Sequence, residues 1–164
     1  MNKPIEIRKA QCEEDGLIAD HFYQMWLDNE VTPDSFASDW RDQILQFIDV
    51  ARRSLDYQAF VAVAGDQVIG SVGCQRFAGL YPIVFKPSYR CDGYIWGVYV
   101  GPPYRHQGIG RQLTKQSILY LRSIGCTHAV LNASPSGKAL YEHIGFITSN
   151  LMRLSLLELD KCSL

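Results

Sequence analysis

The spacing of apolar residues along this chain changes several times, and each spacing predicts a different element. Apolar and charged residues alternate over Ile5–Arg8, which predicts a first strand with one face in water. Helical spacing over Glu13–Glu30 predicts a helix. A second stripe over Trp40–Leu55 predicts another helix, capped by Asp34 or Ser35. The remaining predicted elements are strands over 57–64, 68–77, 94–100, 129–131 and 151–159 and helices over 108–124 and 138–144.

The turns between these elements carry their own signals. Gly65 and Asp66 separate two β-rich runs, which predicts a hairpin. Gly97 interrupts the strongest strand pattern, Tyr94–Val100, and predicts a β-bulge there. The chain has no repeat, low-complexity tract or linker. Residues 1–164 are therefore predicted to form one α+β domain.

Composition agrees with a single packed domain and excludes some classes of function. Of the 164 residues 47% are hydrophobic and 12% are aromatic, which is enough for one core and excludes a mainly disordered chain. The 16 lysines and arginines balance 17 acidic residues, giving a net charge of −1. A nucleic-acid-binding protein needs a basic excess to neutralise phosphates, so no nucleic-acid partner is expected.

Cysteine and histidine spacing argues against a structural metal. The five cysteines contain no Cys-x-x-Cys pair and are odd in number, and the four histidines show no His-Glu-x-x-His spacing. The N-terminus lacks the apolar run of a signal peptide. The longest apolar stretch, Ala59–Ala64, is too short to cross a bilayer. The sequence thus predicts a reduced, cytoplasmic protein without metal or membrane partner.

The segment from Val98 to Leu113 carries the chemistry. A strand ends, the chain turns, and Gly108 and Gly110 open a helix. Such a turn directs unpaired backbone N–H groups and the positive end of the helix dipole at one point, where a phosphate or pyrophosphate binds. Arg105 and Arg111 are expected to add charge-assisted contacts. A helix entry that needs small residues for packing is the structural alternative.

Two nucleotide-binding motifs do not match this segment. A dinucleotide fingerprint requires a third glycine where Leu113 stands, and an acidic residue that ends the next strand, which is absent from Ala129–Ala133. A phosphate-binding loop of the Walker type requires Gly-Lys followed by Ser or Thr, whereas Gly110 precedes Arg111. Neither a dinucleotide nor a nucleoside triphosphate is favoured.

Two motifs resemble the GNAT superfamily of N-acetyltransferases. Arg105–Gly110 matches its Arg/Gln-x-x-Gly-x-Gly/Ala pattern, and Ala139–Phe146 is similar to its closing motif, which ends on Tyr-x-x-x-Gly-Phe. Their order and interval also agree. The resemblance implies the acyl-CoA N-acyltransferase fold, a mostly antiparallel central sheet splayed at the coenzyme site, with helices on both faces.

The resemblance also implies how acetyl-CoA binds. The backbone of the glycine turn would hold the pyrophosphate, and the strand edge before it would pair with the pantetheine amides. Asn132 would hydrogen-bond to the pantetheine arm, and Ser134 and Ser136 are further candidates for the same contact. The residues that the resemblance assigns to the coenzyme are Val98, Tyr99, Val100, Arg105, His106, Gln107, Gly108, Ile109, Gly110, Arg111, Asn132 and Ser136.

The resemblance gives Tyr141 the role of general acid, which protonates the departing thiolate. The alternative for Tyr141 is an aromatic residue packed on a short helix. Many relatives carry a glutamate base on the strand that corresponds to Tyr94–Val100, and this strand has none. Asp92 is the nearest acidic residue but equally suits a solvated turn. The base stays unassigned, and water is one candidate.

The implied reaction is direct transfer of an acetyl group from acetyl-CoA to a primary amine of a small molecule or peptide, within a ternary complex. The acidic residues between Asp28 and Asp42 would attract a cationic amine, or are simply a solvated face. The aromatic loop Phe77–Tyr89, with Trp26 and Trp96, would wall an acceptor pocket, or packs in the core. A non-catalytic acyl-CoA-binding regulatory module, another acyl group or another acceptor remain as alternatives, and a homodimer is compatible with the sequence.

Overall fold

The computed structural model describes residues 4–150 and 152, and in this part of the chain five strands form one sheet. Their spatial order follows the chain, and neighbouring strands are antiparallel except for the last pair, which is parallel. The mixed, mostly antiparallel sheet confirms the predicted fold class. The strands are β1 (Ile5–Lys9), β2 (Gln58–Ala64), β3 (Gln67–Arg76), β4 (Asp92–Val100) and β5 (His128–Val130).

Four α-helices lie within the same described residues, each close to its predicted range. They are α1 (Asp15–Asp28), α2 (Trp40–Ser54), α3 (Ile109–Ser123) and α4 (Lys138–Ile144). None of the helices between residues 4 and 150 is long and apolar enough to cross a membrane. The strand predicted over 151–159 lies outside the described residues, apart from residue 152.

The predicted cap of α2 is wrong. Pro33–Ser35 forms a separate 3-10 turn, closed by the Phe36 N–H donating to the Pro33 carbonyl at 3.2 Å. Phe36 is extended, with φ −90° and ψ 145°, so the chain leaves the helical conformation before α2 begins. Asp39 is the residue that precedes α2.

Helices cover both faces of the sheet because adjacent strand residues point to opposite sides. On one face, Ala59 of β2 packs with Ile18 of α1 and Ile48 of α2. On the other face, Phe60 of β2 packs with buried Leu113 of α3. Each helix thus buries an apolar stripe, and the sheet separates two cores.

Two irregularities in β4 shape the site. The register between β3 and β4 shifts between Ser71 and Gly73, and Gly97 opposite this shift has φ +64°, as the predicted bulge requires. On its other edge, β4 pairs with β5 only as far as Tyr94 and Val130. Beyond that pair the two parallel strands no longer hydrogen-bond, and the edge of β4 is open toward its C-terminal end.

Candidate functional site

The cleft between β4 and β5 is the first component of the site. Its narrow end lies at the last paired residues, Tyr94 and Val130, and β4 continues for six residues beyond that pair, to Val100. The β4 edge that faces β5 over those residues has backbone N–H and C=O groups that pair with no strand in the described part of the chain. Such an edge can pair with the amide groups of an extended ligand, in the same way as an added strand.

The turn between β4 and α3 is the second component. His106 and Gly108 both have left-handed backbone conformations, with φ +61° and +78°. The first N–H of the helix to close a backbone bond is that of Gln112, which donates to the Gly108 carbonyl at 3.1 Å. The N–H groups of residues 107–111 have no partner among the described residues. Together with the positive end of the helix dipole, these donors suit the anion-binding site that the sequence analysis expects at this turn.

Open space around Gly108 supports the same interpretation. A Cβ at Gly108 would meet no atom within 4 Å, so packing does not require glycine there. The positive φ does favour glycine, and the missing side chain leaves the backbone accessible to a ligand. The alternative of a small residue retained for helix packing therefore does not explain Gly108.

Packing around Gly110 brings the cleft, the turn and α4 together. A Cβ at Gly110 would lie 3.6 Å from Leu140 of α4, and 3.9 and 4.0 Å from Val100 and Val98 of β4. Tyr141 follows Leu140 on the same short helix. The open β4 edge, the glycine turn and the helix that bears Tyr141 are thus neighbours, although they come from three separate segments.

Arg105 is directed away from the turn. Its Nε donates to the Val100 carbonyl at 2.8 Å, its Nη2 donates to Asp28 at 2.5 Å, and its guanidinium lies 5.8 Å from the ring centre of Tyr99. These contacts join the end of β4 to the end of α1. The guanidinium is already paired, so a role in supporting the turn fits its geometry better than the predicted charge-assisted contact with phosphate.

The other polar side chains of the turn are more exposed. Gln107 donates to the Pro103 carbonyl at 3.4 Å, and His106 and Arg111 are exposed. Ile109 is buried in the core beneath the helix, so only its backbone faces the turn. These positions suit ligand binding through the backbone, with Arg111 free to add positive charge.

Asn132 crosses the narrow end of the cleft. Its Nδ2 donates to the Tyr94 hydroxyl at 2.9 Å, from just beyond the end of β5 to the strand opposite. Tyr94 is half-buried and stacks on Phe77, with ring centres 5.5 Å apart, and burial raises the pKa of its hydroxyl. Tyr94 is a site residue that sequence reasoning missed, because the motif gave no reason to single out an aromatic residue on this strand.

Ser134 and Ser136 lie beside α4. The Ser134 hydroxyl accepts a bond from the Gly137 N–H at 3.1 Å and lies 3.2 Å from the Ser136 hydroxyl. This pattern holds the start of α4 in place. Ser136 is exposed and retains capacity for a ligand, whereas Ser134 is engaged by the backbone.

Tyr141 has the properties that a general acid requires. Its ring packs against Phe146 and approaches Gly137, and burial raises the pKa of its hydroxyl. The Tyr141 hydroxyl has no hydrogen-bond partner among the described residues, and it is not one of their fully buried polar side-chain atoms. Tyr141 therefore holds its proton at neutral pH and has no internal acceptor for it.

A histidine lies on the face of the sheet that α1 and α2 cover. His21 of α1 places Nδ1 2.9 Å from the Ser71 hydroxyl, and its ring lies 4.7 Å from that of Tyr99. Burial lowers the pKa of this imidazole, although the nearby charge of Asp20 opposes the shift. His21 is therefore neutral near pH 7, and one ring nitrogen is able to accept a proton.

The aromatic residues that the sequence analysis assigns to an acceptor pocket lie in different parts of the structure. Trp96 packs between Phe22 and Phe47, at 5.2 and 5.5 Å, and belongs to the wall formed by α1 and α2. Trp26 is 40% exposed at the rim of this wall. In the loop over 77–89, Leu80 and several other large apolar side chains face solvent. Only part of the predicted aromatic wall is thus adjacent to the bulge.

Asp92 does not approach the cleft opening. It lies at the start of β4, where its carboxylate pairs with Arg90 at 3.1 Å and lies 3.7 Å from His128. Asp28, the last residue of α1, is paired with Arg105. Within residues 4–150 no cluster of three or more His, Cys, Asp or Glu side chains is arranged to hold a metal ion.

Comparison with known proteins identifies relatives of this arrangement. A family model described as acetyltransferase (GNAT) family matches residues 19–146. Human N-alpha-acetyltransferase 30 is 31% identical over 91 residues, which span 54% of this chain and 23% of that protein. Glucosamine 6-phosphate N-acetyltransferase of Trypanosoma brucei brucei is 33% identical over 75 residues, or 43% of this chain and 51% of that protein. The matches thus span about half or less of the curated relatives.

Solved structures share the whole fold. A Clostridium acetobutylicum acetyltransferase determined with acetyl-CoA superposes with a TM-score of 0.80, covering 94% of this chain and 98% of that chain at 20% identity. At this identity the likeness concerns the fold alone. The splayed sheet with helices on both faces is therefore an arrangement that occurs in an acetyl-CoA-bound protein.

Proposed function

The chain belongs to the acetyltransferase (GNAT) family, and from this premise we propose that it is an N-acetyltransferase that moves an acetyl group from acetyl-CoA to a primary amine. The observation that carries the proposal is the meeting of three groups around Gly110. These groups are the unpaired N–H groups of residues 107–111, the open edge of β4, and the helix that bears Tyr141.

Each group suits one part of acetyl-CoA. The N–H groups at the start of α3 suit the pyrophosphate, because they supply several donors and the positive end of a helix dipole. The free edge of β4 suits the pantetheine amides, which then run toward the narrow end of the cleft. The acetyl thioester, at the end of this arm, would lie beside the Gly97 bulge, where backbone N–H groups of β4 can stabilise an oxyanion.

The reaction that this arrangement supports is direct transfer. The nitrogen lone pair of a neutral amine attacks the carbonyl carbon, a C–N bond forms, the C–S bond breaks, and the nitrogen releases one proton to solvent. Tyr141 donates its phenolic proton to the departing sulfur and then regains a proton from solvent. The raised pKa of Tyr141 keeps that proton in place until the sulfur takes it.

The α1 and α2 face is proposed to receive the amine. Tyr94 lies on this face at the narrow end of the cleft, and Asn132 holds its oxygen. Since Asn132 donates to one lone pair, the second lone pair and the phenolic hydrogen are left to orient the amine. His21 supplies a neutral imidazole on the same face. The family relatives act on peptide N-termini or on a sugar amine, as their names state, so both classes are candidate acceptors.

Titration and turnover together test the proposal. Isothermal calorimetry with acetyl-CoA and with CoA measures coenzyme binding, and release of free thiol measures transfer to each acceptor. The panel contains a peptide with a free α-amine, the same peptide with a blocked N-terminus and one lysine, and glucosamine 6-phosphate. Acetyl-CoA binding with thiol release on one acceptor, and the acetylated product by mass, supports the function. Binding without transfer to any amine would instead indicate a regulatory acyl-CoA-binding module, and absence of binding would refute both.

A further inference from the structure

Two cysteines lie together at the end of the sheet opposite the candidate site. Cys91 directly precedes β4, and Cys126 stands two residues before β5. The Thr127 N–H donates to the Cys91 carbonyl at 2.7 Å, and the Cys91 N–H donates to the Thr127 hydroxyl at 2.9 Å. These bonds hold the two segments side by side and place Cys126 next to the residue that is bonded to Cys91.

Arg76, the last residue of β3, gives the pair an asymmetric environment. Its Nη1 donates to Cys91 Sγ at 3.1 Å, while its Nε pairs with Asp56 at 2.6 Å and its Nη2 donates to the Ile124 carbonyl. The guanidinium is thus fixed on three sides with one N–H directed at sulfur. Reactive cysteines occur in partly exposed surroundings of positive charge, and half-buried Cys91 fits that description.

Cys126 is the less reactive partner. It is partly buried against the α3 core, and its surroundings raise the pKa of its thiol to about 11, through burial first and then the neighbouring Cys91. Cys126 therefore keeps its proton at neutral pH. A thiol next to a fixed cation, with a protonated thiol on the adjoining segment, suits a nucleophile and its resolving partner.

The two other cysteines within the described residues lack these features. Cys74 is fully buried, bonds to the Gln58 carbonyl at 3.4 Å, and burial raises its pKa to about 12. Cys12 is exposed on the turn before α1. Neither has an arginine donating to its sulfur, so they provide internal controls for reactivity.

We propose that Cys91 and Cys126 form a peroxide-responsive thiol pair, in which Arg76 assists attack by Cys91 and Cys126 closes an intramolecular disulfide. Cys91 Sγ attacks one oxygen of hydrogen peroxide, the O–O bond breaks, and Cys91 becomes a sulfenic acid as hydroxide leaves. Cys126 Sγ then attacks the sulfenic sulfur, the S–O bond breaks, and water leaves. Overall, two thiols lose two electrons and two protons, and peroxide is reduced to two waters.

The disulfide would join the starts of the two strands that diverge at the candidate site. Since the pair lies at the opposite end from the glycine turn, its chemistry does not depend on acetyl transfer. The inference stands apart from the proposed function, and a failure of either leaves the other intact.

Thiol mapping on the full chain tests the pair. The reduced protein is treated with hydrogen peroxide, unfolded, alkylated with N-ethylmaleimide and digested without reductant. We expect two fewer alkylated thiols, a peptide linking Cys91 to Cys126, and recovery of both thiols with dithiothreitol. Cys126→Ser should stop at the sulfenic acid, captured on Cys91 as a dimedone adduct, whereas Cys12→Ser should leave the disulfide unchanged.

The role of Arg76 is tested by rate. Arg76→Gln should slow thiol loss about fivefold, the factor contributed by a unit charge a few ångströms from sulfur in water-like surroundings, and Arg76→Lys should restore part of the rate. Thermal unfolding of each reduced variant identifies any loss of fold. Full alkylation of Cys91 after peroxide, or a link from Cys91 to a cysteine other than Cys126, would overturn the proposal.

Discussion

Replacing Gly108 with alanine separates the cost of its backbone conformation from its role in binding. Gly108 has φ +78° and a Cβ there would touch nothing within 4 Å, so the substitution adds conformational strain without a clash. A left-handed residue other than glycine costs about 1–2 kcal/mol. For a domain of this size that cost lowers the unfolding temperature by about 2–8 °C.

Gly125 provides a matched control at the other end of α3. It has φ +86° and also has nothing within 4 Å of a Cβ, so Gly125→Ala carries the same strain. The two variants should therefore unfold at similar temperatures. Only Gly108→Ala places a methyl group where a phosphate would approach the backbone. Loss of one charge-assisted hydrogen bond costs about 1.5–3 kcal/mol, which weakens acetyl-CoA binding by about 10- to 150-fold.

Calorimetry and thermal unfolding with acetyl-CoA measure both effects on the same samples. At about 100 times its dissociation constant, acetyl-CoA should stabilise the unaltered protein by about 2.7 kcal/mol. The same concentration should stabilise Gly125→Ala equally and Gly108→Ala much less. Equal affinity in the two variants would refute the assignment of the turn to the coenzyme, even if both variants lost stability as calculated.

Further substitutions test the two tyrosines at the cleft. Tyr141→Phe should lower kcat by about 10²–10⁴-fold with acetyl-CoA affinity unchanged, and exposed Tyr89→Phe serves as the control. Because burial raises the pKa of Tyr141, its deprotonation should reduce activity only above about pH 10, the ordinary pKa of tyrosine. A loss of activity that begins at a lower pH would contradict the role of Tyr141 as general acid. Tyr94→Phe should reduce kcat/KM for the amine by about 5- to 30-fold, as expected for one hydrogen bond. Acetyl-CoA affinity should not change. An unaltered kcat/KM would remove Tyr94 from the acceptor site.

Assignment of Arg105 illustrates why a motif does not define the role of each of its members. The sequence favoured a phosphate contact because the residue is cationic and adjoins the glycine turn. In the fold, the Arg105 guanidinium instead donates hydrogen bonds to the Val100 carbonyl and to Asp28. These bonds stabilise the end of the strand that precedes the turn. Asp28 is 77 positions away, so no local pattern relates the two residues.

The boundaries of the helices also show which features follow from local sequence and which depend on packing. The α4 range was predicted in full, because Gly145, with φ +115°, ends the helix locally. The predicted cap of α2 is misplaced, because Asp34 and Ser35 lie inside the separate 3-10 turn that begins at Pro33. Competing local signals of similar strength are resolved by packing, here by the aromatic contact of Tyr23 with Phe36 at 4.7 Å.

The amino-acid sequence by itself determined the order of the described elements, the bulge at Gly97 and the turn at 107–111 with its unpaired N–H groups. Each follows from preferences that act within a few residues: apolar spacing, the freedom of glycine, and the unpaired N–H groups at a helix start. Only the tertiary structure decided the Tyr94–Asn132 bridge, the pairing of Arg105 and the placement of the Cys91 and Cys126 segments side by side. Those partners are separated by 35 or more positions and meet only because the strands and helices pack, which brings together side chains whose local sequences carry no sign of one another.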